Sequence, residues 1–156
     1  MNLRQLVDPE LVFTDLPSGD RDTVLRALAE RLEAHGVVDN ADELYRKLLE
    51  REGLGSTAIG RGVAIPHCKL PHLDRVVVAV GVLPQGVDIQ CPDQEPVRLF
   101  FLVVSPERSP AEHLQSLASI SKWLKDDGNL ERIRKAKTSN EVNACLRGSG
   151  DGSERG

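Results

Sequence analysis

His67 follows a short apolar run and a proline, a little beyond a glycine-rich segment of the chain. Pro66 has a fixed φ and no N–H group, so it restricts the backbone that carries the imidazole. A neutral imidazole is a good nucleophile near pH 7, because its pKa is ordinarily about 6.5. His67 is therefore a candidate nucleophile, although a hydrogen-bonded histidine at the end of a strand would give the same local pattern.

A second histidine, His113, lies near the start of a predicted helix. If Ser109 is the N-cap, His113 is the fourth helical residue, where free N–H groups attract anions and disfavour an imidazolium. A neutral His113 could orient His67 or donate a hydrogen bond to a phosphoryl oxygen. An exposed position on the helix is the alternative, and the local sequence favours it.

Three further side chains could contact a phosphate. Arg51 precedes the glycine-rich segment Gly53–Gly62, and its planar guanidinium can donate two hydrogen bonds to phosphate oxygens. Ser56 and Thr57 supply hydroxyl groups within that segment. Each has a plainer explanation, since arginine commonly ends helices and both hydroxyl residues commonly stabilise turns.

His67, Cys68 and His72 are too irregularly spaced to predict a metal site. Structural zinc sites usually combine four ligands in recognisable pairs, and no second Cys/His pair follows here. Cys68 is also a poor catalytic partner for His67, because adjacent residues of an extended chain point to opposite faces. The glycine-rich segment lacks the Walker sequence of a nucleotide-binding loop. We therefore expect neither a metal nor a cofactor.

The composition restricts the classes of partner. The 156 residues are 40% hydrophobic and 28% charged, with a net charge of −4, which is typical of a soluble globular protein. Aromatic residues make up 3% of the chain, too few for a surface that stacks bases, and the negative charge disfavours a phosphate backbone. The apolar runs are far shorter than a membrane span. We expect no nucleic-acid partner and no membrane insertion.

Three cysteines, Cys68, Cys91 and Cys145, form no CxxC pair. Wide spacing and an odd number favour free thiols in a reducing compartment. The residues after Met1 show no apolar signal region, so we expect a cytoplasmic protein.

The apolar pattern predicts a sheet covered by helices. Amphipathic helices are expected at 20–35, 40–52, 109–124, 130–136 and 138–146. Strands are expected at 63–65, 76–83 and 97–104, the last two buried on both faces. Four glycines within 53–62 argue against a regular element there, and residues 1–17, interrupted by Pro9, are interpreted as a lead-in. We expect one domain over 1–147 and a disordered tail over 148–156.

A family resemblance connects these residues. The segment Arg51-Glu52-Gly53-Leu54-Gly55-Ser56-Thr57-Ala58-Ile59-Gly60, followed by Gly62-Val63-Ala64-Ile65-Pro66-His67, resembles the signature of fructose/mannitol-type IIA domains of the phosphotransferase system. The Ala-Ile-Pro-His ending is its most specific part, and the resemblance covers roughly residues 3–146. It implies an α/β fold with a central mixed β-sheet flanked by helices on both faces.

The resemblance also implies a function. In this family His67 would accept a phosphoryl group from HPr, a small phosphocarrier protein, and His113, Arg51 and Thr57 would line the site. Phosphoryl transfer needs positioning and electrostatic stabilisation more than covalent help from the protein. The chain would then be a phosphotransferase component, a phosphoryl carrier rather than a free-standing metabolic enzyme.

Two branches of the family fit the sequence. Nitrogen-regulatory IIA proteins signal by binding target proteins, whereas sugar-transport IIA components pass the phosphoryl group to a cysteine of a IIB domain. His67-Cys68-Lys69-Leu70 resembles the His-Gly-Lys-Leu common in the regulatory branch, although Cys68 replaces a small residue. We favour the regulatory branch, with sugar transport as the alternative. A scaffold that keeps the fold without the chemistry is a third hypothesis.

Overall fold

A computed structural model describes residues 2–147, and the tail expected at 148–156 lies outside the described residues. Its helices are α1 (Leu3–Leu6), α2 (Arg21–Ala34), α3 (Ala41–Gly53), α4 (Pro110–Leu124), α5 (Asp127–Lys135) and α6 (Ser139–Leu146). Its strands are β1 (Val7–Phe13), β2 (Ala58–Gly60), β3 (Val63–Ala64), β4 (His67–Leu70), β5 (Val77–Val87) and β6 (Val97–Pro106).

The six strands form one mixed sheet in the order β1-β5-β6-β3-β2, with β4 also paired to β6. Strand β6 is antiparallel to β5 but parallel to β3 and β4. Strand β6 therefore pairs with three other strands: β5 lies along one edge, and on the other edge β3 pairs with its first half and β4 with its second half.

Helices cover both faces of the sheet, which confirms the predicted fold class. Helices α2 and α3 bury one apolar core with alternate strand residues such as Phe100 and Leu102. Helices α1, α4, α5 and α6 bury the other core with residues such as Phe101 and Val103. Strands β5 and β6 thus lie between two apolar layers, which is why their sequences are almost continuously apolar.

The predicted helices are present, with shifts of a few residues at their ends. Asn40 caps α3 by accepting a hydrogen bond from the N–H of Glu43, 3.2 Å away. Ser109 occupies the N-cap position of α4, but its side chain makes no capping hydrogen bond. Pro110 at the first helical position supplies a start signal there instead.

The interpretation of residues 1–17 as a lead-in is wrong, because they contain α1 and the strand β1. Strand β1 lies at the edge of the sheet and pairs in parallel with β5. Its register shifts between Val7 and Val12, the stretch that holds Pro9. A proline has no N–H for the ladder, so it is tolerated at an edge strand or bulge.

The expectation of no regular element within 53–62 is wrong, because the segment contains a strand. Ala58–Gly60 forms β2, antiparallel to β3. The connecting residues Arg61 and Gly62 have φ values of 60° and 76°, as a tight two-residue hairpin turn requires. The remaining residues, Leu54–Thr57, form the loop between α3 and β2.

Candidate active site

His67 is held by the sheet. It is the first residue of β4 and lies opposite Val103 of β6, and the carbonyl of Pro66 accepts a hydrogen bond from the N–H of Val103 at 3.0 Å. The side chain of His67 is half-buried.

The next side chain, Cys68, packs in the core beneath α2 and α3, and burial raises the pKa of its thiol to about 12. Cys68 therefore stays protonated and is no nucleophile at neutral pH.

The hydrogen bonds of His67 define which ring nitrogen can react. Its Nδ1 lies 2.7 Å from the carbonyl oxygen of Ile65. A carbonyl oxygen only accepts, so Nδ1 carries the proton and Nε2 carries the lone pair. Nε2 in turn accepts a hydrogen bond of 3.3 Å from Nε of Arg51. The ring nitrogen of His67 that could act as a nucleophile is therefore Nε2.

Arg51 is fixed beside that nitrogen by the loop that follows α3. It lies in the last turn of the helix, and its Nη1 donates to the carbonyl of Gly55 at 2.9 Å. The plane of the guanidinium is held by two contacts, one to the loop and one to His67. A positive charge next to Nε2 is placed where the oxygens of a transferred phosphoryl group would lie.

His113 is the second ring of the site, and the exposed position that the sequence favoured is wrong. The residue is only 5% exposed, because the first turn of α4 packs over the end of β6. Its ring centroid lies 5.5 Å from that of His67. Its Nδ1 lies 2.6 Å from the hydroxyl oxygen of Ser105, a residue of β6 that is fully buried. Ser105 is a site residue that the sequence analysis missed.

Both histidines are kept neutral. Burial is the main cause that lowers the pKa of His67, and the charge of Arg51 adds to it, while the Ile65 carbonyl acts in the opposite direction. Burial together with the neighbouring His67 and Lys69 lowers the pKa of His113 to about 4. At neutral pH the candidate site therefore presents two uncharged imidazoles side by side, that of His67 with a free lone pair on Nε2.

The two hydroxyl residues of the loop have other partners. The Ser56 hydroxyl oxygen accepts a hydrogen bond from the N–H of Ala58 at 3.1 Å, which is ordinary turn chemistry. Thr57 is buried, and its hydroxyl donates a short hydrogen bond to the carboxylate of Glu52. Neither hydroxyl is aimed at His67 by these contacts, so phosphate binding by Ser56 and Thr57 stays a prediction.

The histidines open into a cleft of about 870 Å³. Its charged lining residues are Lys47, Glu50, Arg51, Lys69 and Glu107. Leu54, also on the cleft wall, is 85% exposed.

Among residues 2–147, no group of three or more His, Cys, Asp or Glu side chains is arranged to hold a metal ion. Within the same residues, no helix is long and apolar enough to cross a membrane.

Residues 5–148 match the family model described as "Phosphoenolpyruvate-dependent sugar phosphotransferase system, EIIA 2". The chain belongs to this family. This IIA protein is 34% identical to a nitrogen regulatory protein of Bradyrhizobium diazoefficiens, over 94% of this chain and 95% of the relative.

Solved structures support the same assignment. The crystal structure of the nitrogen regulatory protein IIA-Ntr from Neisseria meningitidis superposes with a TM-score of 0.83 at 26% identity, covering 92% of this chain and 97% of that one. The mannitol IIA enzyme of Escherichia coli, solved in complex with phosphorylated mannitol IIB, superposes with a TM-score of 0.76 at 23% identity. That likeness covers 92% of this chain and 99% of the other, and it shows the shared fold.

The buried His113 should make the stability of this IIA protein depend on pH. Its pKa is about 4 in the folded state and ordinarily 6.5. Between these values the unfolded chain binds the proton and the folded chain does not, so stability falls as pH falls from about 6.5 to about 4. The midpoint of urea unfolding, measured across this range, should decline less steeply in His113→Gln than in the wild type.

The remaining decline in His113→Gln would come partly from His67, whose pKa is also lowered. His72→Gln makes the same substitution at an exposed histidine and is the matched control for packing. Parallel profiles for the wild type and His113→Gln would contradict a neutral, buried His113.

Proposed function

We propose that this IIA protein is a phosphohistidine carrier that accepts a phosphoryl group from HPr on Nε2 of His67 and acts mainly as a nitrogen-type regulatory protein. The observation that carries the proposal is the unprotonated Nε2, held at an open cleft between Arg51 and the ring of His113. The proposed carrier is one unit over residues 1–147 that acts in the cytoplasm without a metal or a cofactor.

The transfer needs no proton to leave His67. The lone pair of Nε2 forms a bond to phosphorus while the P–N bond of the donor's phosphohistidine breaks, and the donor nitrogen leaves with that electron pair. Nδ1 keeps its proton and its hydrogen bond to Ile65. That bond stabilises the positive charge which the ring acquires as it bonds to phosphorus.

Arg51 and His113 would stabilise the phosphoryl oxygens. The Arg51 guanidinium adjoins Nε2, where it can donate to one or two of them. The Ser105 hydroxyl, by donating to Nδ1 of His113, would place the proton of that ring on its Nε2. His113 would then be a neutral donor toward the same oxygens. The centroid of its ring lies 5.5 Å from that of the His67 ring.

The proposal is tested by incubating the protein with phosphoenolpyruvate, enzyme I and HPr and measuring its intact mass at neutral pH. We expect a gain of one phosphoryl group, lost after acid treatment as expected for a phosphohistidine. An unlabelled protein in a mixture where HPr itself is labelled would overturn the proposal and favour the scaffold hypothesis.

The regulatory branch is favoured by the 34% identity to a nitrogen regulatory protein over nearly its whole length. The alternative, transfer to a IIB cysteine, is favoured by the fold shared with a mannitol IIA enzyme that was solved with its phosphorylated IIB.

Mixing the labelled protein with the IIB domains of its own organism distinguishes the regulatory function from the transport function. Rapid discharge onto a IIB cysteine supports transport, whereas retained label and partner capture that differs between wild type and His67→Glu support regulation.

A further inference from the structure

Glu52 is a buried carboxylate that the transfer described above does not use. It is 6% exposed and adjoins Arg51 at the end of α3. Within residues 2–147, no lysine or arginine lies in salt-bridge distance of it. Instead, one oxygen accepts from the N–H of Thr57 at 3.1 Å and the other from the Thr57 hydroxyl. Buried carboxylates are rare and usually paired with a cation, so this arrangement calls for a functional explanation.

A chain of hydrogen bonds connects Glu52 to the reactive ring. Thr57, held by Glu52, accepts a hydrogen bond on its carbonyl from the N–H of Ile65 at 3.0 Å. The carbonyl of Ile65 accepts from Nδ1 of His67 at 2.7 Å. The chain passes from the end of α3 through the loop before β2 to the residues before β4. Glu52 thus anchors the segment that orients the His67 ring.

The charge of Glu52 also acts on His67. It favours the positively charged form of the ring, in opposition to Arg51. After transfer, the ring keeps its Nδ1 proton and a positive charge while it carries a dianionic phosphoryl group, so the labelled side chain has gained a net charge of about −1. The buried negative charge of Glu52, which acts on this side chain, is poorly screened and repels that net charge, which weakens the phosphorylated state relative to the free one.

We propose that Glu52 is a positioning residue that orients His67 through Thr57 and Ile65 and whose negative charge keeps the phosphoryl group ready to leave. The inference rests on the proposed function. In the reverse transfer the P–Nε2 bond of His67 breaks, the electron pair returns to Nε2, and the acceptor nucleophile forms the new bond to phosphorus. Glu52 takes no proton and forms no bond in this step.

Glu52→Gln separates the charge from the hydrogen bonds. Glutamine keeps a carbonyl oxygen for the Thr57 N–H, and its amide can donate to the Thr57 hydroxyl, which acts as donor or acceptor. The experiment mixes each variant with known amounts of HPr and phospho-HPr and measures the equilibrium labelled fraction by intact mass. The matched control is Glu131→Gln, which removes the same charge from an exposed position on α5.

We expect the equilibrium constant for labelling to rise about tenfold in Glu52→Gln, the order expected for losing a poorly screened repulsion. Glu131→Gln should stay at the wild-type value. Titration of His67 by NMR in the unlabelled samples should show a lower pKa in Glu52→Gln than in the wild type, a readout that a purely structural role would leave unchanged. An equilibrium constant and a His67 pKa both equal to wild type would overturn the proposal.

Two further variants keep the test decisive if Glu52→Gln does not fold, as judged by circular dichroism. Glu52→Asp keeps the charge, and Thr57→Val keeps the charge but removes one hydrogen bond of the chain. Both should label more slowly than wild type at an unchanged equilibrium constant. An equilibrium shift of about tenfold in both, or unchanged rates in both, would overturn the proposal. If the wild type itself takes no label, the proposed function has failed and not this inference alone.

Discussion

His67→Gln should take no phosphoryl group from phospho-HPr under conditions where the wild type is fully labelled. Glutamine has a similar length, and its amide can still donate to the Ile65 carbonyl, which accepts a hydrogen bond from Nδ1 of His67 in the wild type. It has no nitrogen with a basic lone pair, because the amide nitrogen is delocalised. The variant therefore removes the nucleophile with little change in packing. The intact mass at neutral pH measures the effect directly.

His72→Gln is the matched control, since it makes the same substitution at an exposed histidine a few residues away. It should label at the wild-type rate. A phosphoryl group that still appears on His67→Gln would place the nucleophile elsewhere, with His113 as the first residue to test. Labelling lost in His72→Gln as well would point to a defect unrelated to the chemistry of His67.

Arg51→Met should slow phosphoryl transfer by about 10²–10³-fold, the loss typical of removing one preorganised donor at a developing charge. Methionine fills much of the space of the side chain but cannot donate to the phosphoryl oxygens or to Gly55, which Arg51 contacts at 2.9 Å. Arg51→Lys keeps the charge without the planar fork and should recover only part of the rate. Quenched-flow labelling by phospho-HPr measures these rates.

Arg46→Met provides the comparison on the same helix, because Arg46 is exposed on α3. Its rate should equal that of the wild type. If Arg51→Met were as fast as Arg46→Met, the contact between Arg51 and Nε2 of His67 would have no part in transfer. A full rate in Arg51→Lys would show that charge alone is sufficient.

The sequence predicted the elements that have a repeating apolar pattern. The predicted helix at 20–35 corresponds to α2 at Arg21–Ala34, and the continuous apolar runs correspond to β5 and β6. Burial explains this success, because a buried face imposes its period on the residues that form it. Edge strand β1 has only a broken pattern around Pro9, and no periodicity could reveal it.

The site was predictable only in part, for a physical reason. His67 and Arg51 belong to one continuous signature, whereas His113 and Ser105 come together through the packing of α4 over the end of β6. A helix position near an N-terminus does not reveal what the helix packs against. A signal for Ser105 was present, since a serine that ends the apolar run of β6 must find a partner if it is buried. Glu52 gave no such signal, because its partner Thr57 lies in an irregular loop.

Strand β6 supports both histidines of the site. His67 pairs with it at Val103, and His113 is bonded to it at Ser105. The backbone positions from which the two rings project are therefore fixed by one strand of the sheet. The two rings therefore need no rearrangement relative to each other before transfer. A docking partner would have to align only the incoming phosphorus atom with Nε2 of His67, and not the two rings with each other.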